Sequence, residues 1–197
     1  MTKTFFISGT VMLLLVGLVM LLFAFKTGEI ETPDYKVIKT IGEVEIRKYP
    51  KMVVAQTQLQ DTIMDKSMNS GFRTIAGYIF GGNDSNQKIA MTAPVVVKMG
   101  DTATMYFVMP KQYKKDELPK PVSGRVKILE EGEKTLAVIT YGGFSSAEKV
   151  EAHRQKLVNL LSQQQIKTVG PYMYMGYNAP WDLIKRRNEV AVEVLMN

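Results

Sequence analysis

Residues 69–97 read NSGFRTIAGYIFGGNDSNQKIAMTAPVVV, and the succession of patterns in them decides the fold. Together with Met68, the apolar positions Phe72, Ile75, Ala76 and Ile79 recur at i, i+4, i+7, i+8 and i+11, one face of a helix. Gly81-Gly82-Asn83-Asp84 closes that helix as a turn. The valine-rich stretch 89–98 then reads as a strand. The segment holds no Cys and no His, and Asp84 is its one acid. What it offers is apolar surface with two cations, Arg73 and Lys88, which suits holding a flat hydrophobic ligand better than transforming one.

Working outward, the same patterns recur at a constant offset of 82 residues. Val44, Ile46 and Ala55 fall on Val126, Ile128 and Ala137, and both segments read as hairpins, around Tyr49-Pro50-Lys51 and Glu131-Gly132-Glu133. The helix positions fall on Val150, Arg154, Leu157, Val158 and Leu161, with Arg154 alone breaking the apolar match. Ser145 and Glu148 read as a capping box for this second helix. Strands follow each helix, at 89–98 and 104–109 and again at 171–177 and 188–196. Two strand–strand–helix–strand–strand units, each with one apolar sheet face to bury, predict an α+β sheet or open barrel.

The chain before this domain is different. Residues 5–25, FFISGTVMLLLVGLVMLLFAF, run for 21 positions without a charge. At ~1.5 Å per residue such a helix spans the ~30 Å of a bilayer core. A cleaved signal would carry an apolar region of about 7–15 residues and an A-x-A-like site, whereas Leu22, Phe23 and Phe25 crowd Ala24 here. The expectation is a single-pass anchor at 1–25, a polar linker at 26–34 and a domain at 35–197. Lys3 and the amino terminus favour placing the domain on the non-cytoplasmic side, against Lys26, Lys36 and Lys39.

Residues 1–25 hold a single charged residue, Lys3, so the remainder keeps 24 of the 25 basic residues against all 19 acidic ones. That excess suits an anionic ligand or membrane surface and lacks the basic stripe of a nucleic-acid binder. With no Cys and one histidine, His153, the materials for nucleophilic catalysis or a zinc site are nearly missing. Gly81-Gly82-Asn83-Asp84 lacks the Lys-Ser/Thr of a phosphate loop. The chain is expected not to be an enzyme.

Several ordered motifs resemble the SOUL haem-binding family. They are Glu45-Ile46-Arg47-Lys48-Tyr49, Gly77-Tyr78-Ile79-Phe80-Gly81-Gly82-Asn83, Lys88-Ile89-Ala90-Met91-Thr92-Ala93-Pro94-Val95, Phe107-Val108-Met109-Pro110, Gly176-Tyr177-Asn178-Ala179-Pro180-Trp181 and Arg186-Arg187-Asn188-Glu189-Val190. The resemblance implies a distorted antiparallel β-barrel of two pseudo-repeats with one helix each. It also implies non-covalent binding of haem or a related tetrapyrrole, in some members without a histidine ligand.

The pocket expected on that basis joins the first helix (Met68, Phe72, Arg73, Ile75, Ile79) to the aromatic loop carrying Tyr174 and Trp181, with Lys185 and Arg186 as partners for propionates. Asp182 stands where relatives often carry a basic residue. His153 is either an axial ligand or a ring packed at the core edge. Haem iron is usually held by His, Cys, Met or Tyr, so the choice is narrow. The resulting expectation is a membrane-tethered tetrapyrrole carrier or buffer. Two alternatives stand beside it, a module for another amphiphile and a protein- or membrane-docking module with no small ligand. A buried carboxylate at a pocket floor would favour cationic ligands, and basic residues at the rim would favour haem.

Overall fold

The structure, a computed structural model, describes residues 30–59, 64–179, 182 and 184–196. The apolar segment 5–25 and linker residues 26–29 lie outside the described residues, and so does Trp181. Among the described residues no helix is long and apolar enough to cross a membrane. Glu31–Asn197 forms one compact unit.

Nine antiparallel strands make one sheet: β1 Lys36–Ile41, β2 Val44–Tyr49, β3 Met52–Gln58, β4 Val95–Met99, β5 Thr104–Val108, β6 Lys127–Glu131, β7 Lys134–Gly142, β8 Lys167–Gly176 and β9 Arg187–Leu195. Helix α1 (Met64–Ile79) lies between β3 and β4, and α2 (Ala147–Gln163) between β7 and β8. The strand order is β1-β2-β7-β9-β8-β4-β5-β3-β6. Setting β1 aside, exchanging each strand for its counterpart in the other repeat and reversing the order returns the same list. The two repeats are therefore related by a pseudo-two-fold axis, which passes between β4 and β8.

The two expected hairpins do not form. β2 pairs with β7 and β3 pairs with β6, and neither member of β2/β3 or β6/β7 pairs with the other. One register runs through both ladders, from Val44↔Ile139 and Tyr49↔Lys134 to Met52↔Glu131 and Gln56↔Lys127. Residues 44–58 thus form one long strand interrupted at Pro50-Lys51, facing a second interrupted at Gly132-Glu133. Proline cannot donate to a ladder, so Pro50 breaks the strand without turning it. The alternation that suggests a hairpin is equally that of a strand crossing from one half-sheet to the other.

Alternation along the strands separates two packed faces. On one, Ile75 and Ile79 of α1 and Val150, Leu157 and Leu161 of α2 join Ile46, Ala55, Phe107, Ala137 and Val190 in a continuous core. On the other, Val54, Val96, Leu136, Val138, Met173 and Ala191 are buried with no helix over them. Side chains from strands at both ends of the order can be buried there only if the sheet curls onto itself. The result is a half-barrel with β1 and β6 as its edges, rather than a closed barrel, with both helices on its convex side. The second helix is capped by Ser146, whose Oγ accepts from Lys149 N at 3.3 Å, one residue later than the expected cap. Ser145 instead shares a 2.7 Å hydrogen bond with the Tyr141 hydroxyl.

Candidate functional site

On the convex side α1 packs on β3 and β5 while α2 packs on β7, β8 and β9, so the strip over β4 runs between the helices. Its floor consists of Val95, Val97 and Met99 on β4 and Tyr172 and Tyr174 on β8, paired Val97↔Tyr174 and Met99↔Tyr172. Val95, Met99 and Tyr172 are half-buried, so this apolar strip is left partly open. Met68 and Phe72 form the α1 wall, also half-buried, with the Phe72 ring 5.3 Å from Phe107. The opposite wall is Arg154, whose guanidinium lies 5.3 Å from the Tyr172 ring. Arg154 is the repeat counterpart of Phe72, and the pseudo-axis puts the two on opposite sides of one groove. The break in the repeat's apolar match was the sequence signal for this cation.

The loop after β8 begins where Val95 faces Gly176, at one end of the groove. There Arg186 Nη1 donates to the carbonyls of Ala179 at 3.0 Å and Asp182 at 2.6 Å, and its guanidinium lies 4.6 Å from the Phe144 ring. Its Nε is buried with no hydrogen-bond partner, and among the described residues no carboxylate pairs with it. Asp182 caps the same loop by accepting from Ala179 N at 3.0 Å, so it serves the backbone. Tyr174 Oη donates to Asn188 Oδ1 at 2.9 Å, and Asn188 Nδ2 donates to Gly143 O at 2.8 Å, tying the groove floor to the chain before α2. Burial raises the Tyr174 pKa, against the Ser145 hydrogen bond and the charge of Arg186.

Met68, Phe72, Arg73 and Tyr174 therefore lie on or beside the groove. Lys185 and Arg186 sit in the loop at its end. Ile75 and Ile79 are 0% and 1% exposed, filling the space beneath α1 rather than lining a cavity. Arg73 is exposed, with its Nε 3.4 Å from Asn69 O. His153 stacks on Tyr141 at 4.0 Å, with Nδ1 placed to donate to Lys149 O at 2.7 Å within α2. That is the packing role at the core edge. Among the described residues no group of three His, Cys, Asp or Glu side chains converges as a metal site.

The concave face holds a buried ionic cluster that joins Arg187 and Glu189, at the start of β9, to Arg47 of β2. Glu189, 0% exposed, accepts from Arg47 Nη1 at 2.9 Å, Arg187 Nη2 at 2.7 Å, Thr140 Oγ1 at 3.1 Å and Tyr177 Oη at 2.8 Å. Burial disfavours the charge on Arg47, but Glu189 and Tyr49 outweigh it and hold the guanidinium above its ordinary range. Burial pushes Tyr49 up to about 12. A buried carboxylate is present, then, yet two guanidiniums of the chain itself already neutralise it. The interior cavity beside it measures only about 20 Å³.

A family model described as SOUL heme-binding protein matches residues 30–193. The chain belongs to this SOUL family. It is similar to "Heme-binding protein 2" of Homo sapiens, 32% identical over 174 residues that cover 82% of this chain and 84% of that protein. The Mus musculus "Heme-binding protein 2" is 30% identical over the same shares. Among solved structures, the EcmrR C-terminal domain superposes with a TM-score of 0.60 at 10% identity, covering 83% of this chain and 99% of that one. This last likeness extends to the fold alone. SOUL membership and the groove between the helices rest on separate observations, one from sequence and one from packing.

Proposed function

We propose that the Glu31–Asn197 unit binds haem or a related tetrapyrrole non-covalently in the groove between α1 and α2. The observation that carries this reading is a half-open apolar strip ending at a buried guanidinium nitrogen without a partner. The strip fits the face of a planar macrocycle. Arg186 Nε fits a propionate, since a buried donor left unpaired costs about 1–3 kcal/mol and a carboxylate supplies its acceptor. Arg73 adds a cation on the α1 side, while Arg154 is already paired with Glu151 at 2.6 Å. The iron would bring its own redox and ligand chemistry; the chain's part is to hold the ring, shed water from its faces and pair its acids.

The role we infer is that of a carrier or buffer rather than a catalyst, with residues 5–25 tethering the domain to a bilayer on its non-cytoplasmic side. The chain's lack of Cys and the seating of His153 on Tyr141 support the carrier reading. The test is a hemin titration of the Glu31–Asn197 unit followed at the Soret band. Saturable binding retained in His153→Ala and lost in Phe72→Ala/Tyr174→Ala is expected. A wild-type protein with no saturable Soret shift would sink the tetrapyrrole reading.

A further inference from the structure

We propose that the concave face carries a second small-molecule site, for an aromatic ring bearing an oxygen acceptor (a phenol or an aromatic carboxylic acid), and that Tyr35 occupies it from within. Glu31 to Tyr35 cross the mouth of the half-barrel as a strap. Few bonds hold it: Ala93 N donates to Glu31 O at 2.9 Å, Lys111 N donates to Glu31 Oε1 at 2.8 Å, and Lys111 lies 3.6 Å from Asp34 between exposed side chains.

Open space flanks the strap on both sides. One cleft of about 610 Å³ is lined by Pro33, Met52 and Met109, and another of about 400 Å³ by Tyr35, Tyr49 and Lys48. Asp34 of the strap and Pro50 of the β2–β3 crossing border both clefts, so the strap and that crossing lie between them. Lifting the strap would join them over the ionic cluster.

The place of Tyr35 specifies what could replace it. Its half-buried ring has the Arg47 guanidinium 4.4 Å from its centroid and the Tyr49 ring 5.2 Å away. Its hydroxyl accepts from Arg187 Nη2 at 3.3 Å. The slot therefore offers a cation to the face of a flat ring and a guanidinium N–H to an oxygen on its edge. An incoming acid makes the same two contacts once Tyr35 leaves. A ring tethered through a short strap competes at an effective concentration of millimolar order, so the wild-type chain takes such ligands weakly while its strap is down. The slot and the helix groove lie on opposite faces of the sheet, so neither reading depends on the other.

The test is calorimetric titration of 4-hydroxybenzoate into the full chain. Tyr35→Ala is expected to bind it saturably and about tenfold or more tighter than wild type, because the internal competitor is gone. Cyclohexanecarboxylate, with the same charge and no flat face, is expected to bind Tyr35→Ala at least about tenfold more weakly than 4-hydroxybenzoate. Pro33→Gly keeps Tyr35 but loosens the strap, and it should fall between wild type and Tyr35→Ala. Circular dichroism establishes that each variant is folded. Indistinguishable affinity in wild type, Tyr35→Ala and Pro33→Gly overturns the gated site, and equal binding of the two acids overturns the aromatic slot.

Discussion

Glu189 shows how one side chain sets the character of a whole face. Its buried carboxylate pairs with the buried Arg47, whose Nε also donates to Glu45 at 2.7 Å, and with the more exposed Arg187. Removing one member of such a network strands the others, at a cost of about 3–5 kcal/mol. Glu189→Gln keeps the shape and removes the charge, so a loss of roughly 3 kcal/mol in urea-derived stability is expected; a loss below 1 kcal/mol would mean the guanidiniums find other partners. Lys134 supplies a pH signature. It shares Glu131 with Lys98 and faces Glu193, and burial first, then the charge of Lys98, pulls its pKa down from 10.5 to about 8. The folded value lies below the unfolded one, so the unfolded chain holds the extra proton between the two. The stability this contributes is fully present above about 10.5 and is lost as pH falls through about 8. Between pH 8 and 10 the urea midpoint of wild type should rise relative to that of Lys134→Met; parallel profiles would rule the assignment out.

Helix ends and strand crossings show how near neighbours divide labour. Ser146 rather than Ser145 caps α2, because Ser145 is drawn to the Tyr141 hydroxyl that also anchors the His153 stack. Ser146→Ala should cost about 1 kcal/mol, the usual value for a lost cap, read from thermal unfolding. Ser145→Ala removes no cap and should loosen the stacked pair instead, with His153 Cε1–H moving in the NMR spectrum; equal loss of helix stability in both variants would contradict this division. Gly82 is constrained by close approach. A Cβ there would sit 2.6 Å from the Gly77 carbonyl oxygen, a backbone atom that cannot swing aside. The Gly-Gly turn that ends α1 therefore needs glycine at this position for space rather than for backbone freedom.

At the scale of the molecule, the consequential feature is that the repeats interlock. Each lends its first strand to the other: β2 pairs with β7 and β6 pairs with β3. A half-chain covering residues 31–110 keeps β1 to β5 and α1, but β2 loses β7 and is left with β1 on one side only, β3 loses β6, and β4 loses β8. It should not form a folded monomer, and mixing it with residues 111–197 should restore the circular dichroism of the intact unit. A half-chain eluting as a folded monomer in size-exclusion chromatography with light scattering would refute interlocking as a folding requirement.

Much of this architecture was legible before any coordinates. Helix periodicity at Met68, Phe72, Ile75 and Ile79, strand alternation and the 82-residue offset are local in the chain, so the elements and their repetition follow from the sequence by itself. The motifs that mark SOUL membership are local too. Pairing is not. A strand of alternating residues satisfies its N–H and C=O groups equally well in a hairpin or across a seam, so tertiary packing alone decided that Tyr49-Pro50-Lys51 crosses rather than turns. The groove was half-visible, since its α1 wall is a sequence pattern. Its opposite wall, Arg154, reaches the strip because the pseudo-axis brings residues 82 apart to either side of it. Arg47 and Glu189 lie 142 positions apart and meet because β7 separates their strands by one ladder on each side. Charge pairing at such range depends on where the sheet carries each side chain, and only the tertiary structure determines that.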